Sequence, residues 1–174
     1  MADDIKRSKR NTLSPKPLLL QTQDYLKERK AIITINNISL ETEITKGCPQ
    51  GSCCGPGLWN IQFDPLLKLQ YTKHTKVVAF AEDLLIMIKA ESVGEAENIA
   101  NVEMSKIIQW ARGNKLRFNE GKSKAMLLTR RKRKEQKEIA VYLNIKAIPQ
   151  VNSLKYLAII FDYKLTYKEH KKHG

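Results

Sequence analysis

Residues 77–88 read V-V-A-F-A-E-D-L-L-I-M-I, an apolar run broken by two adjacent carboxylates, Glu82 and Asp83. Burying an unpaired carboxylate costs several kcal/mol, a large share of the ~5–15 kcal/mol that stabilises a domain. The run therefore reads as two short strands, K-V-V-A-F-A and L-L-I-M-I-K, with Glu82-Asp83 at the exposed turn of a hairpin. Strands that are apolar on both faces are expected where a sheet is covered on both sides.

The rest of the chain follows from similar local rules. Residues 31–45, A-I-I-T-I-N-N-I-S-L-E-T-E-I-T, hold two β-rich runs around Asn36-Asn37 and predict another hairpin. Residues 46–57, K-G-C-P-Q-G-S-C-C-G-P-G, contain four glycines and two prolines, which prevents regular structure and permits close backbone approach. After it, Leu58, Ile61 and Leu66 fall near one helical face, with Pro65 expected to kink or end the helix. Ser92 followed by Glu95 forms a capping box and predicts a helix from Val93 to about Trp110, stopped by Gly113-Asn114. Its apolar face comprises Val93, Ala96, Ala100, Ile107 and Ala111. Strand, turn and strand are expected around Asn119-Glu120-Gly121, and further strands on either side of Pro149. The fold class is α+β: hairpins with two or three helices and an open sheet covered on one side.

Charge divides the chain unevenly. The net charge of +13 arises almost wholly from residues 112–174, with 17 basic and 5 acidic side chains. Residues 47–111, which contain Glu82 and Asp83, carry 5 basic and 7 acidic. A basic flank beside a carboxylate pair suits polyanion binding next to a metal; a solvated lysine-rich surface is the plainer alternative. No apolar stretch approaches the ~18 residues needed to span a bilayer, so no membrane partner is expected. The polar N-terminus, read as a flexible basic tail over 1–19, lacks a signal-peptide core, and a nuclear or cytoplasmic rather than secreted protein is expected. Cys48, Cys53 and Cys54 are an odd, crowded set, better suited to reduced thiols than to disulfides. Zinc would need a fourth ligand from His74, His170 or His173, and adjacent cysteines rarely share one tetrahedral ion.

Four segments in order give the chain a resemblance to the reverse transcriptase of non-long-terminal-repeat retrotransposons, the LINE-like and jockey-like elements. G-C-P-Q-G-S-C-C-G-P resembles that family's G-x-P-Q-G-S-x-x-G-P loop, and A-F-A-E-D-L-L its F/Y-A-D-D turn. W-A-R-G-N-K-L-R-F-N-E-G-K-S-K is similar to the family's W-x-x-x-N-x-L-x-x-N-x-x-K-[ST], and L-K-Y-L-A-I-I-F-D-Y-K-L to its later L-x-Y-L-G segment. Y-L-K-E-R-K-A-I-I-T-I-N-N also looks like the hairpin preceding the Gln-Gly loop. Any one match is weak; their order and spacing are specific.

The resemblance implies a partial polymerase palm over 20–128, a basic loop over 129–138, and a β-rich segment over 139–174 that starts the thumb-side region. It implies an RNA-directed DNA polymerase, with RNA template and DNA primer as partners and Mg²⁺, or Mn²⁺, as cofactor. In such chemistry two cations activate the attacking hydroxyl and stabilise the leaving oxygen. Glu82 and Asp83 would be catalytic and metal-holding residues. Gln50, Gly51 and Ser52 would lie under the template and nucleotide, with Gly51 and Gly55 admitting close approach. Lys122 would sit near the nucleotide phosphates, and Leu157-Ala158 would contact the primer, with Ala158 where the family usually has Gly. Arg130, Arg131, Lys132, Arg133 and Lys134 would contact nucleic-acid phosphates. Gly121-Lys122-Ser123 is not a Walker A motif, because the required upstream glycine is Leu116. Trp110 and Tyr167 are read as packing residues and Asp162 as a turn residue.

Two departures temper the implied activity. The family's first catalytic carboxylate lies in a stretch like D-I-x-x-A-F-D, and nothing in residues 1–30 matches it; Asp3, Asp4 and Asp24 have the wrong surroundings. Glu82 also stands where the family has Asp, one methylene longer, and misplacement by about 1 Å can cost on the order of 10²-fold in rate. The expectation is a fragment that does not polymerise alone. The alternatives are a non-catalytic nucleic-acid-binding remnant using the basic last third, or a decayed element copy.

Overall fold

The computed structural model describes residues 16–128 and 138–173. The chain divides into two compact units, one formed by residues 1–68 with 79–83, the other by 69–78 with 84–174.

The first unit begins with helix α1 (Lys16–Tyr25), none of whose side chains is buried. Strands β1 (Lys30–Ile35) and β2 (Ile38–Glu43) pair antiparallel with Ile33 opposite Leu40 and Ile35 opposite Ile38. Asn36 and Asn37 both take positive φ, 47° and 65°, the mirror-image turn that matches strand twist. The predicted hairpin is therefore present. Helix α2 (Gly55–Leu67) starts with Pro56 in its first turn and runs through Pro65. It buries Leu58, Phe63 and Leu66, whereas Ile61 is exposed. Phe63 and the half-buried Trp59 centre the buried stripe on the side of the helix away from Ile61, which corrects the expected face.

In the second unit, helix α3 (Val93–Gly113) carries the expected cap: Ser92 Oγ accepts the Glu95 N–H at 3.1 Å, and Glu95 Oε2 accepts the Glu91 N–H at 2.8 Å. The helix runs three residues beyond Trp110. Gly113 stays helical, Asn114 Nδ2 donates to the Trp110 carbonyl at 2.8 Å, and Lys115, at φ 56°, is the residue that turns the chain away. Ala100, Ile107 and Ala111 are buried as expected, and so is Glu103.

Polar groups of α3 hold the segment beside it much as a neighbouring strand would. Asn101 donates to the Ala140 carbonyl at 2.8 Å and accepts the Tyr142 N–H at 2.9 Å, while Glu97 accepts the Ala140 N–H at 2.8 Å. Ala100, Val141, Leu143 and Ile148 form the core there, with Met104, Ile108 and Phe118 packed against them. Strands β5 (Tyr142–Leu143) and β6 (Lys146–Ala147) make one hairpin, and β7 (Ser153–Tyr156) and β8 (Ile159–Asp162) another, before helix α4 (Lys168–His173).

Strands β3 (Thr75–Phe80) and β4 (Asp83–Ile88) pair as a two-stranded sheet, with its tip, residues 79–83, counted in the first unit and the rest in the second. The described strands thus form four separate two-stranded sheets, not the single open sheet expected. Val78, Phe80 and Met87 are 43–62% exposed, so β3 and β4 are not covered on both faces. The turn expected around Asn119-Gly121 exists, but no strands flank it. Asn119 Oδ1 accepts the N–H groups of Gly121 and Lys122 at 2.9 and 3.2 Å, and its carbonyl takes Ser123 N–H at 3.0 Å. Those local bonds use donors a ladder would need. No helix among the described residues is long and apolar enough to cross a membrane.

Glu103 is fully buried and ties residues 69–75 to α3. Its Oε1 accepts the Thr72 N–H at 2.7 Å, and Lys106 Nζ, 2.8 Å from Oε2, also donates to the Gln70 carbonyl at 2.7 Å. Burial pushes the carboxyl up, but the bonds from Lys106 and Thr72 outweigh it and hold the group below the ordinary range. Burial, helped by the Glu103 charge, pushes the Tyr71 hydroxyl up to about 12.

Candidate functional site

The carboxylate pair stands at the tip of the β3–β4 hairpin. The turn residues are Ala81 and Glu82, and Asp83 is the first residue of β4, so the turn lies one position earlier than the reading that put both carboxylates in it. Ala81 has a φ of 47°, in the left-handed region that side chains other than glycine disfavour. That conformation reverses the chain one residue early. Glu82 and Asp83 are both exposed.

Trp59, on α2 in the same unit, reaches this turn. Its Nε1–H donates to the Ala81 carbonyl at 2.7 Å, and its ring stacks on Phe63 with centroids 5.0 Å apart and planes at 24°. Sequence reading missed this contact; the available signal was a tryptophan two residues beyond the Gly-rich run of 46–57, on the stripe that buries Leu58 and Phe63.

The loop at 46–54 leads directly into α2. Gly51 takes φ 85°, which only glycine adopts freely, and has nothing within 4 Å of where a Cβ would stand. Gly55 is different. A Cβ there would lie 2.8 Å from Ser52 Oγ and 3.2 Å from Cys48 Sγ, and its N–H donates to Ser52 Oγ at 3.1 Å. Its smallness serves packing inside the loop. Gln50 and Gly51 are exposed and Ser52 half-buried. Arg29 Nη1 donates to the Gly47 carbonyl, tying the loop to the start of β1. Cys48, Cys53 and Cys54 are free thiols.

The remaining candidates belong to the second unit. Lys122 is exposed just after the Asn119 turn. Leu157 and Ala158 form the β7–β8 turn with φ of 48° and 69°. The left-handed conformation at Ala158 explains in backbone terms why glycine suits this position. Asp162 closes the next turn, as expected: its carboxylate accepts from Lys164 N–H, Thr166 Oγ1 and Tyr167 N–H at 3.0, 3.0 and 2.7 Å. Burial raises its pKa, but these bonds prevail and hold it low. Tyr167 packs on Phe161, centroids 5.7 Å apart. Arg130, Arg131, Lys132, Arg133 and Lys134 lie outside the described residues.

The donor set at the turn suits a hard divalent cation. Two adjacent exposed carboxylates offer oxygen ligands, and Mg²⁺ is commonly held by one or two carboxylates while keeping several waters. Among the described residues no group of three or more His, Cys, Asp or Glu gathers as a metal site. The pair alone therefore fits one cation better than a complete two-metal clamp.

The family model for reverse transcriptase (RNA-dependent DNA polymerase) matches residues 2–161. The chain is 28% identical over 148 residues to a putative 115 kDa protein in type-1 retrotransposable element R1DM of Drosophila melanogaster, covering 85% of this chain and 14% of that protein. It is 26% identical over 159 residues to a probable RNA-directed DNA polymerase from transposon X-element of the same organism, covering 90% of this chain and 17% of the relative. To the RNA-directed DNA polymerase from mobile element jockey, also of Drosophila melanogaster, it is 25% identical over 169 residues, 93% of this chain and 18% of the relative. The chain thus spans less than a fifth of the length of each of these relatives. No solved structure matches it. The chain belongs to the reverse transcriptase (RNA-dependent DNA polymerase) family and, within it, to the non-long-terminal-repeat retrotransposon kind that its motifs resemble.

Proposed function

We propose that this chain supplies the carboxylate turn and the Gln-Gly loop of an RNA-directed DNA polymerase palm. The observation that carries this reading is the exposed pair Glu82-Asp83 at a hairpin tip, bonded through Ala81 to the helix that follows the Gln50-Gly51-Ser52 loop. Glu82 and Asp83 would hold Mg²⁺ or Mn²⁺ through their carboxylate oxygens. A cation bound there would neutralise phosphate charge and lower the pKa of an attacking 3′-hydroxyl. Gln50, Gly51 and Ser52 would support template and nucleotide, the open space around Gly51 leaving its backbone accessible. Lys122 would face nucleotide phosphates as a cationic point charge. Leu157 and Ala158, at a tight turn with Leu157 exposed, would contact the primer.

The pair supplies two of the carboxylates that a two-cation clamp requires, and Glu82 places its oxygens farther from the backbone than Asp would. We therefore expect the 174-residue chain alone to be a poor polymerase. Primer extension on an RNA template with Mg²⁺ or Mn²⁺ tests this. Robust incorporation that Asp83→Asn abolishes would show that the chain completes its own site and would overturn the expectation of inactivity.

A second reading, nucleic-acid binding without catalysis, is favoured by the exposed cations Arg112, Lys115, Arg117, Lys122 and Lys124. Affinity for single-stranded RNA should then fall with salt, with a logarithmic slope of about −0.7 per neutralised phosphate. A flat response would exclude it.

A further inference from the structure

We propose that Trp59 is a positioning residue for the carboxylate turn, setting the peptide plane from which Glu82 and Asp83 project. The inference rests on the reading of that turn as a cation site.

Three observations support it. The peptide between Ala81 and Glu82 begins at a residue with φ 47°, a conformation that alanine disfavours. Its carbonyl oxygen points at the indole N–H of Trp59, 2.7 Å away. Trp59 is itself fixed, because its ring lies on Phe63, which is 4% exposed and one helical turn further along α2.

The anchoring continues toward the N-terminal end of the helix. α2 begins at Gly55, whose N–H is taken by Ser52 Oγ and whose lack of a Cβ lets Ser52 and Cys48 close against it. A continuous chain of contacts thus runs from the Gln50-Gly51-Ser52 loop through four residues of helix to the turn. A shift of the loop moves the origin of Trp59, and Trp59 carries the Ala81 carbonyl with it. The consequence is mutual registration: the loop proposed to support template and nucleotide is held at a fixed offset from the carboxylates proposed to hold the cation. Trp59 touches neither substrate nor cation in this account. It acts by restricting the peptide plane, so that less of the turn backbone has to be ordered when a cation arrives.

The test uses the full chain with Trp110→Phe, which leaves Trp59 as the sole tryptophan of the two in the sequence. Mn²⁺ affinity is measured by calorimetry, and the melting temperature by circular dichroism. Three variants are compared: Asp83→Asn, Trp59→Phe, and Trp59 replaced by its benzothienyl isostere, in which sulfur stands where the indole N–H was. The isostere keeps the ring shape and the Phe63 stack and removes only the donor. Both Trp59 variants should bind Mn²⁺ about tenfold more weakly, the equivalent of one hydrogen bond at the strong end of the usual range, with an unchanged melting temperature for the isostere. The indole N–H proton of the parent should exchange slowly with solvent. Unchanged Mn²⁺ affinity in the isostere, while Asp83→Asn abolishes binding, would overturn the positioning role and leave the cation site standing. Binding that Asp83→Asn does not weaken, or no binding by the parent, would instead overturn the cation-site reading and the positioning role with it.

Discussion

Replacing Glu103 by Ala removes a fully enclosed charged group that accepts a backbone hydrogen bond and pairs with a lysine. The carboxylate accepts the Thr72 N–H at 2.7 Å and pairs with Lys106 at 2.8 Å. A hydrogen bond to a charged group contributes about 1.5–3 kcal/mol. The ion pair adds about 1 kcal/mol at most, because Lys106 is 35% exposed and retains the Gln70 carbonyl. Alanine also leaves the Thr72 N–H without its acceptor. The expected loss is about 3–4 kcal/mol, comparable with breaking a buried pair from one side. Glu103→Gln keeps an acceptor for Thr72 but turns an amide donor toward an ammonium, and should cost about 1–2 kcal/mol. Equilibrium urea unfolding of the full chain at neutral pH, followed by circular dichroism, measures both. The folded-state pKa lies below the ordinary value of 4.5, so the carboxylate's contribution is present above that pH and is lost as pH falls through the folded value. The gap between wild type and Glu103→Gln should therefore close in acid. An alanine variant within 1 kcal/mol of wild type, or a gap that widens in acid, would refute the assignment of Glu103 as the tie between α3 and residues 69–75.

Other consequences follow from single residues. Ala158→Gly should stabilise the second unit by about 0.5–1 kcal/mol in the same urea assay, since φ 69° costs alanine more than it costs glycine. Gly55→Ala should destabilise by about 1–2 kcal/mol, because Ser52 Oγ must move away from the new Cβ and release the Gly55 N–H; a double-mutant cycle with Ser52→Ala should show coupling of at least about 0.5 kcal/mol. Tyr71, pushed up to about 12 from 10.0, stabilises the folded state below pH 10 and loses that contribution as pH rises toward its folded value. Ultraviolet titration should find it the last tyrosine to ionise, and Glu103→Gln should lower its midpoint.

Much of the local structure was legible because its causes are local. Asn36-Asn37 favours the turn it makes, Ser92 and Glu95 cap the helix they predict, and the isolated carboxylates mark a turn. What was not legible depends on partners distant in sequence. Nothing near Asn101 reveals that it bonds Ala140 and Tyr142, about forty residues on. Nor was the burial of Glu103 legible, because periodicity marks apolar positions and cannot register a charge whose partners come from residue 72 and one turn of helix. The single open sheet does not follow from its hairpins: short β-rich runs around turns give the same strand signal whether or not the hairpins join. At the site, the motif located Glu82 and Asp83 to within one residue. The left-handed Ala81 and its bond to Trp59 are visible only in the fold, since alanine carries no turn signal.

The central claim is that Glu82 and Asp83 form a cation site at a hairpin tip. Calorimetric titration of the wild-type chain with Mn²⁺, beside Asp83→Asn, tests it most directly. The account predicts saturable binding of Mn²⁺ to wild type and at least about tenfold weaker binding to the variant, the loss of a charged ligand being worth 1.4 kcal/mol or more. Equal affinities in the two proteins would contradict it.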